Sequence, residues 1–123
     1  SSYAAFCLML EFLYTGSVVE LTPTMSIDLL GLADQYTLTA LKGLCENVLI
    51  NHVDNENCCL LLRCSYRFQA QSLKEVTLEH IIKHFAAVSS SIGFEDLSNE
   101  PTLLLDITRE RCKHFTLNES KKC

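Results

Sequence analysis

Phe12-Leu-Tyr-Thr-Gly16, Leu32-Ala-Asp-Gln-Tyr36 and Leu41-Lys-Gly-Leu-Cys-Glu46 punctuate a nearly unbroken series of apolar stripes between residues 3 and 85. The stripes have helical spacing. Leu41, Leu44, Cys45, Val48 and Leu49 recur at i, i+3, i+4, i+7 and i+8, the pattern of one buried helix face. Residues 3–14 are apolar on almost every side, which predicts a helix buried nearly all round. Thr15-Gly16 stops it, with Gly suited to the C′ position. Thr22-Pro23 opens the next helix with a hydroxyl N-cap and Pro at the first turn, and Ile27, Leu30 and Ala33 follow on its apolar face. Between these helices lies the one strong strand signal, residues 17–21 with Val18 and Val19, too short to persist without partners.

Further along, Thr39 is read as the cap of the helix that carries Leu41. Asp54 is read as the cap of a third helix over residues 55–70, bearing Leu60, Leu61, Leu62, Tyr66 and Phe68. Ser72-Leu-Lys-Glu75 matches a capping box, in which the hydroxyl and the carboxylate each satisfy a first-turn amide. The helix it opens presents Leu78, Ile81, Ile82 and Phe85 on one face. Residues 89–93 read as a loop and 94–97 as a short turn. Pro101 opens a last helix with Leu104, Ile107 and Phe115, and residues 116–123 read as a frayed polar tail. The expected fold is all-α, five or six helices with at most one short β-strand at about 17–21.

Composition narrows the function classes. A chain of 123 residues holds one domain or one and a fraction, and 48% hydrophobic residues supply ample core. A net charge of −5 argues against nucleic acid as the main partner. The basic clusters Arg109/Arg111/Lys113 and Lys121-Lys122 read as solvated tail. Seven irregularly spaced cysteines fit a reducing compartment better than a disulfide scaffold. No apolar run approaches the roughly 20 residues needed to span a bilayer, and the first residues lack the basic region of a signal peptide.

No catalytic constellation stands out. His80 and His84 share the i, i+4 spacing of a metal pair, but the zinc-protease motif needs a glutamate directly after the first His, and Ile81 stands there. Two solvated histidines are the plainer expectation. Cys58-Cys59 with Cys64 lacks the paired spacing of structural zinc sites. No local motif assembles a Cys–His or Ser–His–Asp nucleophile, and the four glycines form no phosphate-cradling run. The chain is therefore expected not to be an enzyme and to need no cofactor or metal.

Three segments together resemble a known family. Phe6-x-x-Met9-Leu10-x-Phe12-Leu13-Tyr14-Thr15-Gly16, Leu29-Leu30-x-Leu32-Ala33-Asp34-x-Tyr36 and Leu38-x-x-Leu41-Lys42-x-x-Cys45-Glu46 resemble, in order, the third, fourth and fifth helices of BTB/POZ domains. Asn55-x-Asn57 with the apolar helix after it, then Ala70-x-x-Leu73-Lys74 and His84-Phe85, is similar to the 3-box that opens the BACK domain of cullin-3 substrate adaptors such as speckle-type POZ protein and Kelch-like proteins.

The resemblance implies three segments: residues 1–53 as the C-terminal part of a BTB/POZ domain, 54–115 as a 3-box and shortened BACK domain, and 116–123 as tail. It implies a piece of a longer protein, with the substrate-reading domain elsewhere and the strand at 17–21 short of its sheet. The implied function is a protein–protein interaction segment of an adaptor for a cullin-3 RING ubiquitin ligase, contributing to cullin binding and dimerisation. The alternative is a self-association module of a scaffold or transcriptional regulator that binds no cullin. Candidate cullin contacts are Asp34, Tyr36, Leu38, Asn55, Leu62 and Tyr66. Candidate self-association residues are Phe6, Met9, Leu13, Val18 and Val19. The implied partners are cullin-3, a second copy of the chain and a substrate protein held by another domain, with no nucleic acid and no membrane. The implied location is intracellular, cytoplasmic or nuclear.

Overall fold

The computed structural model describes the backbone of residues 2–18 and 20–121, and side chains as far as Phe115. Among the described residues eight helices follow one another: α1 (Tyr3–Thr15), α2 (Pro23–Gln35), α3 (Thr39–Ile50), α4 (Cys58–Arg67), α5 (Gln71–Lys83), α6 (Phe85–Ser89), α7 (Ile92–Asp96) and α8 (Pro101–Lys121), with a 3-10 turn at Leu97–Asn99. Among the described residues there is no strand.

The first two helices begin and end where local chemistry dictates. Ser2 Oγ accepts from Ala5 N (3.1 Å) and Thr22 Oγ1 from Met25 N (3.2 Å), each satisfying a first-turn amide. Gly16 closes α1 in the left-handed region at φ 76°, its N–H bonded to Phe12 O at 2.7 Å. The segment expected as a strand is irregular at Ser17, Val18, Glu20 and Leu21; Val19 lies outside the described residues. Val18 and Leu21 instead pack against the core of α1–α3. A lone strand has nowhere to send its ladder hydrogen bonds.

The later helix starts differ from the sequence expectation. Thr39 lies inside α3, and Leu38 holds the N-cap position with no side-chain cap bond. Asp54 does not open a helix over 55–70. Its Oδ1 accepts from Glu56 N (2.9 Å) and Asn57 N (2.8 Å), while Asp54 N donates to Asn57 Oδ1 (2.8 Å). This reciprocal pair has the logic of a capping box, but it closes the turn before α4. The box expected at Ser72–Glu75 does not form. Ser72 lies inside α5, Ala70 occupies the N-cap, and Glu75 Oε1 accepts from Gln71 Nε2 (3.2 Å). The Leu73 amide in the first turn of α5 is satisfied across the fold, by Glu46 Oε2 of α3 at 3.2 Å.

Past α5 the chain turns more often than periodicity foretold. His84, at φ −117° and ψ 32°, breaks the helix before Phe85. Part of the expected loop at 89–93 is helical, because Ser91 Oγ accepts from Phe94 N (3.3 Å) and starts α7. In α8 the core residues are Leu103 and Ile107, whereas Phe115 is 65% exposed. Of the expected frayed tail, the side chains of 116–121 and all of residues 122 and 123 lie outside the described part.

Two apolar cores result. The first joins α1, α2 and α3 around Leu29, Leu30, Leu41 and Leu49, and it also takes Leu61, Ala70 and Leu73 from the second half of the chain. The second holds Cys58, Leu62, Ile81, Val88, Leu97 and Leu103. Adjacent residues Leu61 and Leu62 enter different cores, so α4 is the shared wall between them. Phe68 packs its ring so close to α2 that a Cβ added at Gly31 would meet Phe68 Cε1 and Cζ at 3.2 Å.

One expectation is reversed in part. α1 is not buried nearly all round. Only Ala5 and Met9 are buried, with Leu8 and Phe12 half-buried against the first core. Tyr3, Phe6, Leu10, Leu13 and Tyr14 are exposed on the opposite side, Tyr14 at 90%. The helix has neighbours on one flank alone, chiefly α2, and a single flank covers a single stripe.

Candidate interaction surfaces

Burial pushes the Cys45 thiol up to about 12. The Cys59 thiol is held protonated by its hydrogen bond with Cys58 and by burial, and burial likewise raises Cys64. Buried protonated thiols are poor nucleophiles and poor metal ligands. Among the described residues, no group of three or more His, Cys, Asp and Glu side chains converges as a metal site. No described helix is long and apolar enough to cross a membrane.

His80 is not the freely solvated residue that its helical position implied. It is half-buried, donates from Nε2 to Asn55 Oδ1 (2.8 Å), and stacks at 4.5 Å on His84, which is exposed. Burial and the neighbouring His84 hold its imidazolium below the ordinary histidine range, against a weaker opposing pull from Asp54.

Three surfaces remain as places where another molecule could dock. The outward stripe of α1 is the first. Phe6 and Leu13, two of the expected self-association residues, lie on it, together with Tyr3, Leu10 and Tyr14. Met9 faces the core and Val18 is half-buried against it, so neither belongs to this surface. Val19 lies outside the described residues. Position alone separates the two sets: 3, 6, 10, 13 and 14 share one side of a helical wheel, and 5, 8, 9 and 12 the other.

The second surface is the turn between α2 and α3. Asp34 Oδ1 pairs with Lys42 Nζ at 3.0 Å, a half-buried ion pair that ties the end of α2 to the first turn of α3. Thr37 takes φ 57°, and the amide of Leu38 bonds back to Ala33 O at 2.8 Å. This tight turn leaves Tyr36 51% exposed and Leu38 half-buried against the first core.

The third surface flanks α4. Leu60, Arg63, Cys64 and Arg67 follow at i, i+3, i+4 and i+7 along its outer side. A groove of about 440 Å³ separates Leu60, Cys64 and Arg67 from Ile27, Gly31 and Gln35 of α2. Another, of about 490 Å³, separates them from Thr102 and Leu103 of α8. Leu60 is exposed between the two, and Arg63 Nε reaches Glu100 Oε1 at 4.0 Å. The apolar residues of the same helix dominate its sequence pattern and mask this stripe. The i, i+3, i+7 arrangement of one Leu and two Arg was the available signal.

The six expected cullin contacts do not form one patch. Leu62 is fully buried in the second core, because its position on α4 faces Ile81 and Leu97, so no partner reaches it. Tyr66 is half-buried against the same core, with the Lys74 ammonium 4.5 Å from its ring centroid and its hydroxyl buried without a partner among the described residues. Asn55 sits before α4 and is engaged by His80. Asp34, Tyr36 and Leu38 cluster at the α2–α3 turn.

Residues 1–53 match the family model of the BTB/POZ domain. The chain is 40% identical over 88 residues to the armadillo repeat protein interacting with ABF2 of Arabidopsis thaliana, a match over 72% of this chain and 12% of that protein. It is 32% identical over 100 residues to protein maternal effect lethal 26 of Caenorhabditis elegans, over 80% of this chain and 25% of that protein. To TD and POZ domain-containing protein 2 of Mus musculus it is 30% identical over 105 residues, covering 85% and 29% respectively. The chain thus spans between about an eighth and under a third of these relatives, and each match is longer than the family segment itself. A BTB/POZ domain is a protein–protein interaction and self-association unit. On its helices and on that match, residues 1–53 of this chain are similar to the BTB/POZ domain.

Proposed function

We propose that the chain is the interaction segment of a BTB–BACK adaptor for a cullin-3 RING ubiquitin ligase, working by binding and not by bond-making. Residues 54–115 would then be the 3-box and a shortened BACK domain. One observation carries the reading: the helices after residue 53 share a core with the BTB/POZ segment through Leu61, Ala70 and Leu73, and Glu46 of that segment caps α5. Such a joint makes the two parts one stiff body. An adaptor needs stiffness, since a ligase must hold its substrate at a fixed distance and orientation.

On this reading the cullin lies across the α2–α3 turn and the outer side of α4, with Tyr36, Leu38 and Leu60 as contacts and Asp34–Lys42 fixing the turn. Tyr66 and Asn55 support the neighbouring helices, and Leu62 is core. The substrate protein binds a domain outside this chain, and the complex works in the cytoplasm or nucleus. The test is calorimetric titration of the longer protein with the cullin-3 N-terminal domain. Tyr36→Ala and Leu60→Glu are expected to weaken binding at least tenfold each, as central aromatic and aliphatic contacts do. Absence of binding by the unaltered protein refutes the reading.

Self-association without a cullin is the second reading, favoured by the outward stripe of α1. An apolar stripe of this width is rarely left in water. Sedimentation velocity of Leu13→Glu against the unaltered chain tests it: loss of a dimer supports it, and two identical monomers refute it.

A further inference from the structure

The apolar stripe that seats α8 on α5 ends early. Leu103 and Ile107 are buried, but the next positions on that side of the helix are Glu110, Arg111 and His114. Such groups do not enter an apolar core unpaired. The helix nevertheless runs on to Lys121, and a cleft of about 660 Å³ opens between its later turns and the end of α5. Thr108, Arg111, Cys112 and Phe115 line it at i, i+3, i+4 and i+7, with His114 beside them, and Ile82 and Lys83 line it from α5.

Among the described residues no carboxylate lines this cleft, although the Glu79 carboxylate interacts electrostatically with His114. Lys83 is held by Glu79 at 2.7 Å, and Lys113 by Glu110 at 3.2 Å. Arg111 has no acidic partner among the described residues. Its guanidinium lies 3.8 Å from the centroid of the Phe85 ring, which fixes the group in place without occupying its in-plane N–H donors. In a chain of net charge −5 this is a local excess of positive charge, next to an aromatic ring, Phe115, that is two-thirds exposed. Fixed arginine and exposed aromatic side chains are the enriched components of protein-binding surfaces. A cleft of this size takes a few side chains. The acidic remainder of the chain opposes an extended polyanion such as nucleic acid.

We propose that the α5–α8 cleft docks an acidic segment of a partner protein, a carboxylate pairing with Arg111 and its apolar side chain packing on Ile82 and Phe115. The site is separate from the surfaces assigned to cullin binding and self-association, so it stands or falls independently of them.

The test is fluorescence anisotropy on the whole 123-residue chain, with a short labelled peptide of Asp and Glu around a central Leu-Phe pair. Saturable binding is expected, weakened by added salt. Arg111→Glu and Phe115→Ser are expected to raise Kd roughly tenfold or more, as loss of a central anchor does. Both positions are exposed, and circular dichroism checks that each variant keeps its helices. Arg109→Glu, the same charge reversal outside the cleft's lining, is expected to raise Kd less than about threefold, the scale of a surface charge. The proposal is overturned if the peptide does not bind. It is also overturned if a peptide with Lys in place of every Asp and Glu binds equally, or if Arg109→Glu weakens binding as much as Arg111→Glu. Sedimentation at the same concentration covers the remaining occupant: a dimer that Arg111→Glu dissociates makes the cleft a contact between copies and overturns the proposal.

Discussion

Removing the carboxylate of Glu46 should loosen α5 from the BTB/POZ segment. Leu73 is the third residue of α5, its side chain is fully buried, and its amide donates to Glu46 Oε2 at 3.2 Å. The N-cap residue is Ala70, so no local side chain can replace that acceptor. A helix cap replaced by Ala costs about 0.5–2 kcal/mol, and a carboxylate at a helix N-terminus adds roughly 0.3–1 kcal/mol. The bond is only partly buried, which places Glu46→Ala near ~1.5 kcal/mol. With an unfolding entropy of about 2.1 cal/mol/K per residue, that loss lowers Tm by roughly 6 °C for a chain of this length. Glu46→Gln keeps an acceptor and loses the charge, so about half the loss is expected. Urea unfolding at constant m gives the global value, and hydrogen exchange at the Leu73 amide gives the local one, roughly tenfold faster per 1.4 kcal/mol. The matched control is Glu75→Ala, which removes only an exposed bond to Gln71. If Glu46→Ala costs no more than this control, or leaves Leu73 exchange unchanged, the bridge does not hold the two parts together.

Three other outcomes follow from the same geometry. Gly31→Val should destabilise by about 1–3 kcal/mol, because its branches must displace the Phe68 ring; Phe68→Leu in the same chain should recover part of that loss, and additivity in urea unfolding refutes the contact. Tyr66→Phe should be neutral or stabilising by up to about 1 kcal/mol, since it deletes a buried hydroxyl without a partner among the described residues; a clear loss of Tm means the hydroxyl is bonded in solution. His80 carries a folded-state pKa below its unfolded value, so the unfolded chain binds the proton more readily. Its contribution is fully present above the unfolded value and is lost as pH falls from about 6.5 toward the folded pKa; unfolding midpoints of His80→Gln and the unaltered chain should converge across that window, and parallel curves refute the assignment.

Local chemistry made much of the chain legible. Gly16, Thr22-Pro23 and Pro101 mark helix ends through bonds and dihedral limits that involve residues a few positions away, and each stands where its type is read. The same logic misplaced the box at Ser72–Glu75 and the cap at Asp54. A Ser or Asp followed three positions later by a carboxyl or amide group is only a local offer, and at α5 the offer lost to Glu46 arriving from another helix. The candidate site suffered for the same reason. Leu62 and Leu61 are indistinguishable as letters, yet both are buried in separate cores; Leu60, beside them, is the exposed one. Likewise, apolar residues around all of α1 announce that it wants covering, without saying on which side a neighbour stands.

Legible in the sequence alone were the all-α class, the ends of α1, the start of α2 and the start of α8, and the BTB/POZ likeness of residues 1–53, because helical pitch, caps and stops act over a turn or two of chain. Tertiary structure alone decided the rest: which flank of α1 is covered, that Glu46 caps α5, that α4 is a wall between two cores, and that α8 leaves α5 to form a cationic cleft. These depend on which surfaces meet at large separation along the chain. Burial is a property of the neighbour that arrives and not of the residue that receives it.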